Sequence, residues 1–138
     1  MLYNKSEIKV RYGETDQMGV VNNAVYPSWF EIGRTELFDE LGLPYSQMEK
    51  RGIMLPLSEL YVKYLSPALY GEIVSIETTV DTFPGVRIVF NYKISCGQRL
   101  IATGHSVQAF ISAETRRPIR IPDWLKDTLL PHFGEPEI

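Results

Sequence analysis

Residues 13–30 read GETDQMGVVNNAVYPSWF, a polar, turn-rich loop that runs directly into the most aromatic stretch of the chain. From about Ala24 to Leu41 the apolar positions recur at helical spacing, and Trp29, Ile32 and Phe38 widen the apolar stripe. A helix that is apolar on most of its sides must be wrapped by other structure. The stretch therefore predicts one long buried helix whose first turn is fed by a polar loop.

Both ends of this predicted helix carry recognisable signals. Asn22 or Asn23 can cap the free N–H groups of the first turn. Pro27 falls within that first turn, where no intrahelical hydrogen bond is lost. Gly42 supplies a C-terminal stop. The helix is therefore predicted to begin after the asparagines and to end before Gly42.

The rest of the chain reads mainly as β-strand. Ile8, Val10 and Tyr12 alternate with charged residues, which is typical of a half-buried strand before the loop. Apolar runs separated by turn signals predict further strands, and Cys96–Gly97 marks a tight hairpin turn between the last two. The four predicted strands are Leu57–Leu65, Val74–Val80, Val86–Ile94 and Arg99–Ser112.

The order of one strand, one long helix and four strands indicates a two-layer α+β domain. Hairpin-length connections favour antiparallel pairing, so we expect a curved, mostly antiparallel five-stranded sheet around the helix, in a single domain over residues 1–138. Asp123 is predicted to cap a short final helix that ends near Leu130. Edge strands of such a sheet favour pairing across a dimer.

Composition narrows the possible functions. The net charge of −3 argues against nucleic acid as a partner, because phosphate contacts need a surplus of Lys and Arg. No apolar run approaches the roughly 18 residues of a membrane span, and the first residues lack the apolar core of a signal peptide. Cys96 is the single cysteine, so we expect no intrachain disulfide and a cytoplasmic location.

Several kinds of site lack their motif. The chain has no Gly-rich phosphate loop and no GxGxxG. Gly104–Ser106 begins like a GxSxG elbow, but Gln108 replaces the last glycine. The two histidines, His105 and His132, do not stand at zinc-ligand spacing with the single cysteine. The sequence therefore predicts neither a metal nor a redox cofactor.

The loop before the helix has two interpretations. Asp, Gly and Asn favour turns and caps, which is a sufficient structural reason for their presence. Alternatively, loop and helix start form one site, in which backbone N–H groups near Asn23 point at a carbonyl oxygen with help from the helix dipole. Asp16 would then supply a base or nucleophile on the same loop. The residues by themselves leave both interpretations open.

A family resemblance favours the second interpretation. Tyr12–Tyr26, with Trp29–Glu31 and Arg34–Glu36, strongly resembles the hotdog-fold acyl-CoA thioesterases of the 4-hydroxybenzoyl-CoA thioesterase / YbgC-like class. In that fold a central helix is wrapped by the sheet, in agreement with the predicted order of elements. The resemblance covers nearly the whole chain, continuing through Leu60–Ala68, Gly71–Glu72, Ala102–His105, Arg117–Pro118 and Ile121–Pro122.

The resemblance implies hydrolysis of a thioester to a free acid and coenzyme A. It implies that Asp16 is nucleophile or general base, and that the backbone N–H of Asn23 polarises the thioester carbonyl. By the same resemblance Tyr12, Gly19 and Tyr26 belong to the substrate and oxyanion site. It also implies a homodimer with the active site at its interface, and in many relatives a homotetramer.

One departure from the family pattern bears on proton transfer. Many relatives have Tyr-His where this chain has Asn22–Asn23, and another branch has a histidine where this chain has Val20. Neither histidine is present. We therefore expect Asp16 to work with asparagine side chains and water, without a cofactor other than the coenzyme A thioester that is the substrate.

Further residues carry secondary predictions. Arg87 and Lys93 are predicted to meet the coenzyme A phosphates, and Glu59 is a possible second carboxylate. Glu31 and Arg34, three positions apart on a helix, predict an ion pair. Three aromatic residues are candidates for an acyl pocket: Tyr61, Phe83 and Tyr92.

Two other functions stay open at this level. An enzyme of the same fold acting on acyl carrier protein would need a cationic docking face, which the net charge of −3 does not suggest. A non-catalytic acyl-CoA binding or sensing module is the other alternative, which the two missing histidines keep open. A hotdog dehydratase fits less well, because it typically uses a histidine base and neither histidine lies in the helix-start motif. The acyl group cannot be read from the sequence.

Overall fold

A computed structural model describes residues 1–134, so residues 135–138 of the predicted domain lie outside the described part. The elements follow in the order β1 (Leu2–Lys9), α1 (Tyr26–Glu40), α2 (Tyr45–Lys50), β2 (Ile53–Met54), β3 (Leu57–Tyr64), β4 (Ile73–Val80), β5 (Arg87–Cys96), β6 (Arg99–Ala109), β7 (Ile111–Ser112) and α3 (Asp123–Leu129). Short 3-10 turns stand at Tyr12–Glu14, Asn23–Val25 and Leu130–His132.

Five strands form one sheet in the order β1-β4-β5-β6-β3, with every neighbouring pair antiparallel. β2 and β7 pair separately as a two-stranded ribbon. The predicted five-stranded antiparallel sheet is therefore confirmed. Its edges are β1 and β3, and they behave differently. The residues of β1 alternate between buried and more exposed positions, whereas every residue of β3 except Val62 is exposed.

α1 supplies the second layer by covering one face of the sheet. Trp29, Phe30 and Phe38 on the helix are fully buried, and the Phe30 ring stacks on Tyr92 of β5 with a centroid distance of 4.1 Å. Gly33 lets the helix come close, because a Cβ atom there would lie 2.2 Å from the Thr78 hydroxyl oxygen. This confirms the predicted hotdog arrangement of a long helix wrapped by a sheet.

The predicted signals at the ends of α1 are confirmed. Asn22 accepts the Ala24 N–H through its side-chain oxygen at 2.9 Å, and Pro27 lies in the first helical turn. Gly42 follows the helix with φ +74°, a conformation that favours glycine. The Cys96–Gly97 hairpin is also confirmed, since Cys96 pairs with Arg99. Within the described residues no helix is both long and apolar enough to cross a membrane.

Two predicted strand boundaries are wrong. The first strand ends at Lys9 and does not reach Tyr12, which is 78% exposed, because the chain turns where Glu14 N–H bonds to the Arg11 carbonyl. The predicted strand Arg99–Ser112 divides at the buried Phe110, after which β7 leaves the main sheet to pair with β2.

The helices outside α1 also differ from the prediction. Asp123 is the first residue of α3 and not its cap, since Pro122 occupies the cap position. α2 was not predicted, because its six residues are too short to show a helical repeat.

Candidate active site

Asp16 lies in a tight hairpin loop between the first strand and the long helix. Thr15 and Val21 form an antiparallel bridge at its base. Inside the loop Asp16 N–H donates to the Val20 carbonyl at 2.9 Å, and Gly19 N–H donates to the Asp16 carbonyl at 3.1 Å. Gly19 has φ +76°, a region that favours glycine. Gly19 is thus explained by the turn it makes.

The two carboxylate oxygens of Asp16 have different surroundings. Oδ1 accepts the backbone N–H of Met18 at 2.8 Å and that of Val20 at 3.4 Å. Oδ2 has no hydrogen-bond partner among residues 1–134. The side chain belongs to an exposed residue. The loop therefore fixes one oxygen and leaves the other accessible to a ligand or to water.

The start of the helix leaves a backbone donor free. The side chain of Asn22 takes the Ala24 N–H, and the Asn22 carbonyl takes the Val25 N–H at 2.9 Å. Asn23 N–H, which opens the 3-10 turn ahead of α1, finds no acceptor in the part of the chain that the structure describes. A free N–H at a helix start attracts a negative or polarised oxygen.

Aromatic side chains hold the helix start in place. The Tyr64 hydroxyl of β3 donates to the Asn23 carbonyl at 3.0 Å. The Tyr26 ring lies edge-on to Tyr64 and to Trp29, with centroid distances of 5.2 and 5.1 Å. Burial raises the pKa of Tyr26, so this phenol stays neutral at physiological pH.

A cavity of about 270 Å³ opens beside these groups, between the loop, the helix start and the segment that follows β3. Val20 and Asn23 both line this cavity, together with Tyr26 and Tyr64. Since Val20 N–H reaches Asp16 Oδ1, the carboxylate is one hydrogen bond away from a residue of the cavity wall. The cavity wall thus contains Asn23, which carries the free N–H, and Val20, which is hydrogen-bonded to the Asp16 carboxylate.

Glu14 is a buried acid in the same loop, only 8% exposed. It accepts the Arg11 backbone N–H at 2.8 Å and the Trp29 indole N–H at 2.8 Å, and the Arg11 guanidinium lies 3.4 Å away. Burial alone would raise the pKa of Glu14, but these hydrogen bonds and the guanidinium together hold it below its ordinary value. Glu14 is therefore ionised at neutral pH.

This lowered pKa predicts how Glu14 contributes to stability at different pH values. A group whose pKa is lower in the folded state stabilises the fold above its unfolded pKa and loses that contribution as pH falls through its folded pKa. As the pH falls from 6.5 to values below the ordinary glutamate pKa of about 4.3, the wild type should therefore lose free energy of unfolding. Glu14→Gln lacks the carboxylate, so its loss over the same range should be smaller. Urea unfolding of both proteins measures this, and an equal loss in both would contradict it.

The remaining predicted site residues are spread over the molecule. Tyr12 sits on the loop surface, where its carbonyl accepts from the Thr15 N–H and hydroxyl. Glu59 is exposed on the edge strand β3. Arg87 and Lys93 are exposed on the face of β5 that points away from α1, since their neighbours Ile88 and Tyr92 are buried.

The three aromatic candidates for an acyl pocket are not brought together. Tyr61 stacks on His105 on the outer side of the sheet, with a centroid distance of 5.3 Å. Phe83 contacts Phe133 instead. Tyr92 lies under α1, and its hydroxyl is 2.5 Å from the hydroxyl oxygen of Ser106. They do not form a common wall.

A second cavity, of about 380 Å³, lies between α1, α2 and the chain leading into β3. Glu31 and Arg34 line it, but the predicted ion pair between them is wrong, because within the described residues Arg34 instead donates to the Tyr92 hydroxyl at 3.5 Å. Sequence reasoning missed three α2 residues of this cavity, Tyr45, Met48 and Glu49. Burial raises the pKa of Tyr45 to about 12.

Comparison with known proteins identifies the family. Residues 10–129 match the profile described as the Thioesterase-like superfamily. YneP of Bacillus subtilis (strain 168), named as a candidate acyl-CoA thioesterase, is 38% identical over 129 residues, which cover 90% of this chain and 94% of YneP. The chloroplastic acyl-acyl carrier protein thioesterase ATL2 of Arabidopsis thaliana is 38% identical over 135 residues, which cover 96% of this chain and 69% of ATL2.

A solved structure agrees with these relatives. The DHNA-CoA thioesterase from Staphylococcus aureus is 35% identical and superposes with a TM-score of 0.83, covering 100% of this chain and 99% of its own. Sequence and fold thus lead to the same group of proteins, and the resemblance read from the helix-start motif is confirmed. The chain belongs to the Thioesterase-like superfamily of hotdog-fold thioester hydrolases.

Proposed function

We propose that the protein hydrolyses acyl-CoA thioesters to a free carboxylic acid and coenzyme A. Two observations carry this proposal: among residues 1–134 one carboxylate oxygen of Asp16 has no hydrogen-bond partner, and the Asn23 N–H, in the wall of the adjoining cavity, has no acceptor. The names of YneP and of the Staphylococcus aureus thioesterase support coenzyme A as the carrier of the acyl group.

The two groups have complementary roles. Negative charge develops on the thioester oxygen when its carbonyl carbon is attacked, and a fixed backbone donor stabilises that charge without reorganisation. Asn23 N–H is that donor. Asp16 Oδ2 either attacks the carbon, giving an acyl-aspartyl anhydride and coenzyme A thiolate before water cleaves the anhydride, or removes a proton from the attacking water. Water is the only co-substrate in either route.

The oligomer follows from the same proposal. β3 exposes Leu57, Leu60 and Tyr61 along an unpaired edge, and apolar edges of this kind are protected by pairing with another strand. We place the interface of a homodimer at β3, next to Tyr64 and the helix start it contacts. A second copy would then close a site that is open in a single chain. Sedimentation at several protein concentrations measures the oligomeric state, including any tetramer.

The single Cys96 supports a cytoplasmic location.

Hydrolysis of acyl groups on acyl carrier protein is the second candidate function, favoured by the similarity to ATL2. The two carriers can be compared directly, by offering the same acyl group on coenzyme A and on acyl carrier protein. A higher kcat/KM for the coenzyme A ester supports the first candidate, and the reverse order supports the second.

The deciding experiment compares wild type with Asp16→Asn on short, long and aromatic acyl-CoAs, following thiol release. Asparagine keeps an oxygen that can accept the Met18 and Val20 N–H groups, so the loop should stay intact while base and nucleophile are lost. We expect kcat/KM to fall at least about 100-fold, the usual loss when a proton-transfer group is removed.

Asp127→Asn is the matched control, because Asp127 is an exposed aspartate on α3. It should retain wild-type turnover. Unchanged turnover in Asp16→Asn would refute the assignment of Asp16 and direct attention to Glu59. Tight acyl-CoA binding by the wild type without any turnover would identify a sensing module.

A further inference from the structure

Glu14 is a charged, buried side chain for which the proposed chemistry has no role. Its Oε1 accepts the Arg11 N–H at the entry of the loop, and its Oε2 accepts the indole N–H of Trp29. Its backbone carbonyl accepts the Asn22 N–H at 2.9 Å. One residue thus contacts the start of the loop, the end of the loop and the flank of α1.

The other contacts of the loop run elsewhere. Within the described part of the chain Asp16 bonds only inside its own turn, through Met18, Gly19 and Val20. Further backbone bonds tie the loop to the segment after β3, from Val21 N–H to Ala68 and from Tyr70 N–H to Gly19. Among residues 1–134 the bond from Trp29 to Glu14 is the only side-chain hydrogen bond between residues 11–21 and α1.

Trp29 is a firm point of attachment. Its side chain is fully buried beside Tyr26, three residues after the α1 start. A hydrogen bond to an ionised carboxylate is shorter and stronger than one between neutral groups. Loss of this bond would leave the shape of the Asp16 turn unchanged but would free the turn to move relative to the helix start.

We propose that Glu14 is a positioning residue that, through Trp29 and Asn22, sets the separation between the Asp16 carboxylate and the Asn23 N–H. This inference rests on the proposed thioesterase function. Reacting groups must be held in a near-attack geometry, and a displacement of about 1 Å can cost about 100-fold in rate. Glu14 itself touches no reacting atom.

The test uses Glu14→Gln, Trp29→Phe and the double variant. Glutamine removes the charge and one acceptor, while phenylalanine keeps a buried ring and removes only the indole N–H. We expect each single variant to lose about 10-fold to 100-fold in kcat with less than a twofold change in KM. The double variant should be no slower than the slower single variant, because both substitutions act on the same contact between Glu14 and Trp29.

Glu36→Gln is the matched control, since Glu36 lies on the same helix and its carboxylate accepts the Ser6 hydroxyl, away from the loop. It should keep wild-type kcat. The inference is overturned if kcat of Glu14→Gln and Trp29→Phe stays within twofold of this control while Asp16→Asn is inactive. It is also overturned if the two single losses multiply in the double variant.

Hydrogen exchange keeps the inference testable even if the proposed function fails. In Glu14→Gln the amides that tie the loop to its surroundings, those of Arg11, Val21 and Asn22, should exchange at least about tenfold faster, while the amides of α1 keep their wild-type rates. Unchanged exchange in the loop would overturn the positioning role, whatever the turnover. A wild type that hydrolyses no acyl thioester would refute the proposed function alone.

Discussion

Phe30→Ala is expected to lower the free energy of unfolding by about 3–5 kcal/mol, the range for removing a buried aromatic side chain. Phe30 is fully buried at the contact between helix and sheet. Its ring lies nearly parallel to Tyr92, with an interplanar angle of 3°. α1 and the sheet cannot easily close the gap, because Trp29 and Phe38 hold the helix at its present distance.

Urea unfolding at a fixed protein concentration measures this loss. Phe30→Leu should cost less than Phe30→Ala, because it fills part of the same space. Tyr3→Ala removes an aromatic ring that is 53% exposed and should cost the least of the three. A loss below about 1 kcal/mol in Phe30→Ala would mean that the core collapses around the site, contrary to rigid packing between helix and sheet.

Gly104→Ala is expected to cost about 3 kcal/mol, at the upper end of the range for overpacking a core. An added Cβ atom would lie 2.3 Å from the Tyr61 carbonyl oxygen and 2.7 Å from the Phe30 ring. The first of these is a backbone atom of β3, so relief requires the whole edge strand to move. Such a shift would also disturb Tyr64 and the helix start it contacts.

Gly13→Ala is the matched control, because a Cβ atom at Gly13 would meet no heavy atom within 4 Å. Thermal and urea unfolding of both variants measure the difference. If Gly104→Ala were as stable as Gly13→Ala, β3 and the Phe30 ring would have to move aside at little cost in free energy. The close approach of Gly104 to β3 would then not constrain the edge strand.

The sequence predicted the elements that repeat over many residues. The fifteen residues of α1 contain several turns of the apolar pattern, and the Asn22 cap and Gly42 stop are local signals that require no tertiary information. α2 and the β2–β7 ribbon were missed because six or two residues cannot show a period. Their positions depend on tertiary contacts.

Prediction of the site divides in the same way. Asp16 and Asn23 could be named because a contiguous motif carries them. The bond from Trp29 to Glu14 joins residues fifteen positions apart across a loop, and no sequence spacing indicates such a bond. For Arg34 the sequence spacing indicated a contact that the fold does not make. Its spacing from Glu31 favours an ion pair, but its side chain donates to the Tyr92 hydroxyl.

The Asn23 N–H, for which residues 1–134 offer no acceptor, has a consequence for natural variation at position 23. The group proposed to act there belongs to the main chain, so nineteen of the twenty amino acids would supply it and only proline would not. Evolution is therefore free to change the side chain at this position while the function persists. A position whose side chain varies widely among relatives can still carry an essential backbone group, and a comparison of side-chain identities would not detect that group.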